Sequence, residues 1–166
     1  MNDRAFVEDQ LRRLRAAIGA DFAALASVDE RDRAARWLYA SGNENERYLR
    51  MRKKPGVGVT GFVVRHGRPF VLDDAASAHS TAARVDYPIL LAERLRSAAA
   101  VPVLGGGRVE GVLLAGYRTA RRIGPELLAA MESCARRFAS APDVPEAAVL
   151  ADRALPEGET SPKIEG

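Results

Sequence analysis

The sequence predicts an α+β fold, a central antiparallel sheet of five to six strands with helices packed against it. Three observations carry it. Amphipathic helical patterns stand near both ends of the first 141 residues. Two hairpin patterns, one on each side of the middle, make consecutive strands antiparallel. No run of alternating strands and helices points to a wound parallel sheet. The 166-residue chain is long enough for one domain with a substantial core. That domain is placed at residues 1–141, and 142–166, rich in Pro and ending Pro-Glu-Gly-Glu-Thr-Ser-Pro-Lys-Ile-Glu-Gly, reads as a largely disordered tail after a short helical pattern near Glu146 to Arg153.

In chain order, Phe6, Val7, Leu11, Leu14 and Ile18 form one apolar stripe over about 3–18, with Gly19 as its stop. Phe22, Ala24, Ala26 and Val28 alternate along a strand of about 21–28. The turn Asp29-Glu30-Arg31-Asp32 leads into a second strand over about 34–41, with Trp37, Tyr39 and Ser41 on one face and Leu38 and Ala40 on the other. Tyr48 to Lys53 reads as a short strand. Pro55-Gly56-Val57-Gly58 breaks the pattern, and Val59, Phe62, Val63 and Val64 fit a helix that ends before Gly67-Arg68-Pro69. Phe70 to Leu72 is a short strand. Ala75 to Val85 is a small-residue loop with no period, placed where a mobile cover would sit. A helix from Pro88 to about Leu95 precedes the second hairpin, Ser97–Leu104 and Val109–Tyr117 around Gly105-Gly106-Gly107-Arg108, with Pro102 suggesting an edge or a bulge. The last helix, about 125–140, gathers Leu127, Leu128, Met131, Cys134, Ala135 and Phe138 on one face.

Bulk properties remove several function classes. No apolar run approaches the roughly 18 residues of a membrane span, and the charged start Met-Asn-Asp-Arg-Ala-Phe-Val-Glu is unlike a signal peptide, which places the protein in the cytoplasm. One Cys and two distant His residues, His66 and His79, make neither a disulfide nor a metal set. The net charge of +3 comes from Arg scattered among acidic neighbours and does not mark a nucleic-acid protein. The densest basic run, Arg47, Arg50, Arg52, Lys53 and Lys54, reads as a solvated strand face in preference to a phosphate site. There is no Gly-x-Ser-x-Gly, no phosphate loop, and no His beside a nucleophile, so no catalytic residue is assigned. Asp73-Asp74 reads as turn chemistry and Cys134 as inert core.

The stretch with most to offer a ligand is Asp86-Tyr87-Pro88-Ile89-Leu90-Leu91-Ala92-Glu93. Pro fits the first helical position because its missing amide would have been unpaired there, and the N–H groups of Ile89, Leu90 and Leu91 follow among apolar side chains. A helix start offers about half a positive charge and free donors, worth about 0.3 to 2 kcal/mol to an anion. With no Lys or Arg in that turn, the acceptor would be small and weakly hydrated; phosphate or a dicarboxylate would call for a guanidinium or an ammonium. Asp86 is the competitor. Its carboxylate is a good N-cap for the same amides, and on residue types alone a capped start without ligand is the favoured reading.

The order of elements, together with Gly56-Val57-Gly58-Val59-Thr60-Gly61, Gly67-Arg68-Pro69-Phe70-Val71-Leu72-Asp73 and Arg108-Val109-Glu110-Gly111-Val112-Leu113, resembles a GAF domain over about residues 5–140. Trp37-Leu38-Tyr39-Ala40-Ser41-Gly42-Asn43, the following Arg47-Tyr48, and Tyr87 to Glu93 are similar to the single-domain GAF nitrate receptors of the Nre system, which accompany an oxygen-sensing histidine kinase and its response regulator. The resemblance reverses the preference for a merely capped helix. It implies nitrate in a small, mostly apolar pocket, with Trp37, Tyr87, Pro88 and Ile89 as pocket residues, Leu90 and Leu91 adding amides, and Val57, Val59 and Val63 adding wall.

It further implies a non-catalytic sensor with no cofactor beyond its nitrate ligand. Its partners would be nitrate and the sensor kinase, with a homodimer open and no direct contact to nucleic acid or membrane. Two alternatives stand beside it. One is a GAF module for another effector such as a cyclic nucleotide, although the spaced Asn, Lys, Phe, Asp, Glu signature of those domains is absent. The other is a ligand-free domain that dimerises through its terminal helices. The cysteine set of GAF-type methionine sulfoxide reductases is also missing.

Overall fold

The computed structural model describes residues 3–75 and 87–140. Helix α1 (Asp3–Ile18) leads into strands β1 (Phe22–Val28) and β2 (Ala35–Ser41). After a 3-10 turn at Arg47–Arg50 come β3 (Arg52–Lys53), α2 (Gly58–His66) and β4 (Phe70–Leu72). Then follow α3 (Pro88–Ala92), β5 (Ser97–Gly105), β6 (Arg108–Tyr117) and α4 (Pro125–Ser140). The six strands form one sheet in the order β3-β2-β1-β6-β5-β4, antiparallel at every step. This is the expected α+β arrangement. The Asp86 question and nearly all of the small-residue loop lie outside the described residues, as does the tail after 140.

The sheet is covered on both faces. On one, α1 and α4 bury Val7, Leu11, Met131, Cys134 and Phe138 against Ala23, Leu25, Val101, Leu113 and Tyr117. On the other, α2, α3 and the 3-10 turn cover Phe22, Ala24, Ala26, Trp37, Ala98, Ala100 and Leu114. Four of those seven are alanines on the central strands, so the short helices come close to the sheet.

Three local expectations are corrected. Trp37 and Tyr39 do not share a face. The β1–β2 register slips between Leu25, paired with Tyr39, and Ala26, paired with Trp37, so Leu38 is an extra residue. That bulge turns Tyr39 toward α1, where the Arg4 guanidinium lies 5.0 Å from its ring centre, and leaves Trp37 under α2. The Tyr48–Lys53 strand is two residues long. Asn45 starts the preceding coil by accepting the Arg47 N–H with its side chain (2.8 Å), and the Leu49 and Met51 amides then bond back to Glu46 and Tyr48.

The third helix stops at Ala92 rather than Leu95. Its end is a Schellman motif in which the Leu95 amide bonds the Leu90 carbonyl (2.9 Å) and the Arg94 amide that of Leu91 (3.2 Å). Arg94 occupies the left-handed position usually given to Gly, at φ 56°. Pro102 stands beside a bulge, as one of its two expected settings: the β5–β6 register shifts between Val103 and Leu104, and Pro102 itself lies beyond the end of β4, which pairs only Ala98–Ala100.

Candidate functional site

Two helix starts meet over Trp37. The residue before α2, Val57, and the residue before α3, Tyr87, are both extended and neither caps its helix with a side chain. Neither first turn contains an acidic residue. Amide bookkeeping then separates the donors. At α3, both the Leu90 and Leu91 N–H groups go to the Tyr87 carbonyl, at 2.9 and 3.4 Å. Pro88 has none, so of the three expected donors only Ile89 lies ahead of the helix's own bonding. At α2, the Gly61 amide closes on the Val57 carbonyl (3.1 Å), which leaves Gly58, Val59 and Thr60 as the orphan donors of that start.

Between the two starts lies a hollow. Trp37 and Met51 contribute its apolar side, Gly58, Val59 and Thr60 the α2 start, Tyr87, Pro88 and Ile89 the α3 start, and Lys53 a cation. The centre of a water-sized sphere sweeps about 10 Å³ of it, about the requirement of one ordered water and too little for an organic effector. Trp37, Val59, Thr60 and Ile89 are almost wholly buried. The Tyr87 ring packs edge-on against Phe70 at 5.1 Å, and Phe70 against Phe62 at 5.7 Å. Among the described residues no carboxylate lines the hollow, and Lys53 is the one charged residue that does.

Of the nine residues expected from sequence, Trp37, Val59, Tyr87, Pro88 and Ile89 come together at this hollow. Val63 and Leu90 are fully buried in the core behind it. Leu91 is 46% exposed and does not line the hollow. Val57 lies at an adjoining cleft of about 520 Å³, which it shares with Lys53, Gly58, Arg65, His66 and Tyr87. Sequence reasoning missed Met51, Lys53, Gly58 and Thr60. The signal for the last two was present: a Gly-Val-Thr start with no Ser, Asp or Asn in front of it is an uncapped helix. Lys53 could not be found, because its strand was expected to be longer and its face could not be fixed.

The far end of α3 is held by charge. Glu93 is fully buried, and its Oε1 accepts the Glu44 N–H (2.8 Å) and an Arg118 Nη2–H (2.7 Å). Arg118 Nε also donates to the Glu93 carbonyl (2.8 Å), and Asn45 Nδ2 to that of Ala92 (2.8 Å). Arg94 grips Glu44 with two nitrogens (2.9 and 2.7 Å), and its guanidinium holds the Glu44 carboxyl below the usual range. Among the described residues no three His, Cys, Asp or Glu side chains are grouped to hold a metal. Cys134 is buried on the inner face of α4, where desolvation pushes its thiol pKa up.

The molecule is thus an α+β domain in which two short helices meet over one face of an antiparallel sheet, above a hollow about the size of one water. Residues 4–141 match the GAF domain, and the chain belongs to that family. It is similar to a mutated NreA protein from Staphylococcus aureus, studied in its nitrate binding site, at 35% identity and a TM-score of 0.66 over 72% of this chain and 90% of that one. A hypothetical protein from S. aureus is 33% identical, with a TM-score of 0.65 over 71% and 99%. The GAF domain of an Acinetobacter phosphoenolpyruvate-protein phosphotransferase, 16% identical with a TM-score of 0.72 over 93% and 87%, shares the fold. No match was found among curated protein sequences. Among the described residues no helix is long and apolar enough to cross a membrane.

Proposed function

We propose that the chain is a non-catalytic nitrate sensor of the cytoplasm, whose occupancy modulates an oxygen-sensing histidine kinase and the response regulator that controls nitrate respiration. The observation that carries the reading is the meeting over Trp37 of two helix starts whose N-cap residues, Val57 and Tyr87, give no side-chain cap and whose first turns hold no acid, in a chain 35% identical to a protein with a nitrate site. Nitrate is planar, singly charged and weakly hydrated, so its three equivalent oxygens can be met by the α2 amides, the Ile89 amide and Lys53 without a guanidinium. Trp37, Tyr87 and Pro88 supply flat walls. A cyclic nucleotide would need an enclosed volume several times larger.

The kinase must read a difference between filled and empty protein, because a ligand that does not distinguish two states shifts neither. The α3 start is the element best placed to supply that difference, since it contacts the hollow while its other end is anchored through Glu93. Titration calorimetry with nitrate, against nitrite, chloride and sulfate, tests the reading. Heat of binding is expected for nitrate at micromolar to millimolar concentration and not for chloride or sulfate. Absence of heat at millimolar nitrate sinks it.

A further inference from the structure

Charge is distributed very unevenly along this chain. Residues 47–72 contain seven of its 25 Lys and Arg and none of its 22 Asp and Glu, so the remaining residues carry 18 basic against 22 acidic side chains. The segment runs without interruption through the 3-10 turn, β3 and α2, and its Met51, Lys53, Gly58, Val59 and Thr60 line the hollow. Elsewhere several arginines are neutralised at home, as in Arg12 and Arg13 with Asp9, Arg96 with Asp74, and Arg118 with Glu93. Here only Arg52 is, by Asp32 at 2.7 Å. Among the described residues Arg47, Arg50, Lys53, Lys54, Arg65 and Arg68 have no carboxylate partner.

We infer that this acid-free band is the docking surface for an acidic segment of a protein partner, seated so that it lies across the mouth of the hollow. Three features favour a polypeptide over other polyanions. The band carries Leu49 and Val57, 49% and 46% exposed, which a protein partner can cover and a phosphate backbone cannot use. The cleft of about 520 Å³ beside Lys53, Arg65 and His66 gives a carboxylate side chain a concave seat flanked by Phe62 and Tyr87. The Arg65 guanidinium is already laid over the turn, since a Cβ on Gly56 would stand 2.7 Å from its Cζ. That packing holds a cation at the cleft with less side-chain freedom left to lose on binding.

Because Lys53, Gly58, Tyr87 and Pro88 line both the cleft and the hollow, a segment in the cleft touches the walls of the inner site. The surface stands independently of which anion the hollow holds. Its test is therefore made on ligand-free full-length protein, titrated with a poly-glutamate peptide at low ionic strength and followed by amide chemical shifts. Shifts are expected at the 3-10 turn, β3 and the start of α2. The triple variant Arg50→Glu, Lys54→Glu, Arg65→Glu should lose at least about tenfold in affinity, and the charge-matched control Arg4→Glu, Arg12→Glu, Arg13→Glu on α1 should lose little. Shifts confined to α1 and α4, equal losses in both variants, or no shifts at all overturn the proposal. Tighter binding of the same band to duplex DNA or to phosphatidylserine vesicles than to the peptide overturns it too.

Discussion

The two faces of the sheet share the same six strands but are covered in different ways. One carries α1 and α4, sixteen residues each, and fills the space with Leu11, Met131 and Phe138 at zero exposure. The other carries α2 and α3, nine and five residues, over a floor of alanines and Trp37. A long helix leaves its unpaired amides at the margin of a domain, whereas a short one brings its start over the middle of the sheet. One face therefore stores stability, and the other leaves unpaired backbone donors over the hollow.

That division can be broken most severely on the helix face. Phe138→Ala removes a fully buried ring that packs edge-on to Phe6 at 6.2 Å, and should cost about 3–5 kcal/mol in denaturant titration. Nitrate affinity of the folded fraction should be unchanged; a tenfold loss would show that the faces are not independent. Arg118→Ala comes next. It strips the buried Glu93 carboxylate of its charged partner, for about 3 kcal/mol, and because Glu93 moors α3 it should also weaken nitrate binding measured by calorimetry.

On the ligand face, Ile89→Trp fills the hollow. Overpacking there should cost about 1–3 kcal/mol and abolish the heat of nitrate binding while circular dichroism stays native. Normal binding in this variant would place the site elsewhere. The smallest effect is titration in alkali. Burial raises the pKa of Cys134 and Tyr117 on the helix face and of Tyr48 on the other, so the folded chain holds these protons more tightly than the unfolded chain. Their contribution is complete below the unfolded values of about 8.5 for Cys and about 10 for Tyr, and is lost as pH rises through the folded ones. Denaturation midpoints should fall gradually above about pH 9, and Cys134→Ala should flatten the early part of that fall.

Much of the fold was legible because periodicity reports it directly. The stripe of α1, the alternation Phe22, Ala24, Ala26, Val28 and the glycine turn at 105–107 each have one geometric solution. The site was half legible. Tyr87-Pro88-Ile89 announced a helix start, but its carbonyl's capture of the Leu90 and Leu91 amides depends on a 3-10 first turn that residue types do not encode. Arg94 in a left-handed backbone position is likewise invisible in a helical pattern that continues through it. Lys53 lines the hollow from a strand of two residues, shortened because the Asn45 side chain accepts the Arg47 N–H and the residues after it coil.

The extra residue at Leu38 has a consequence at the level of the gene. Because β2 carries one amino acid more than its partner on β1, Trp37 and Tyr39 serve opposite sides of the molecule although they stand two apart. In-frame loss of a single codon at this point would restore regular pairing and force one of the two rings to change sides. The length of this strand is thus inherited information in its own right, and deletion here would be more damaging than many replacements at the same codon.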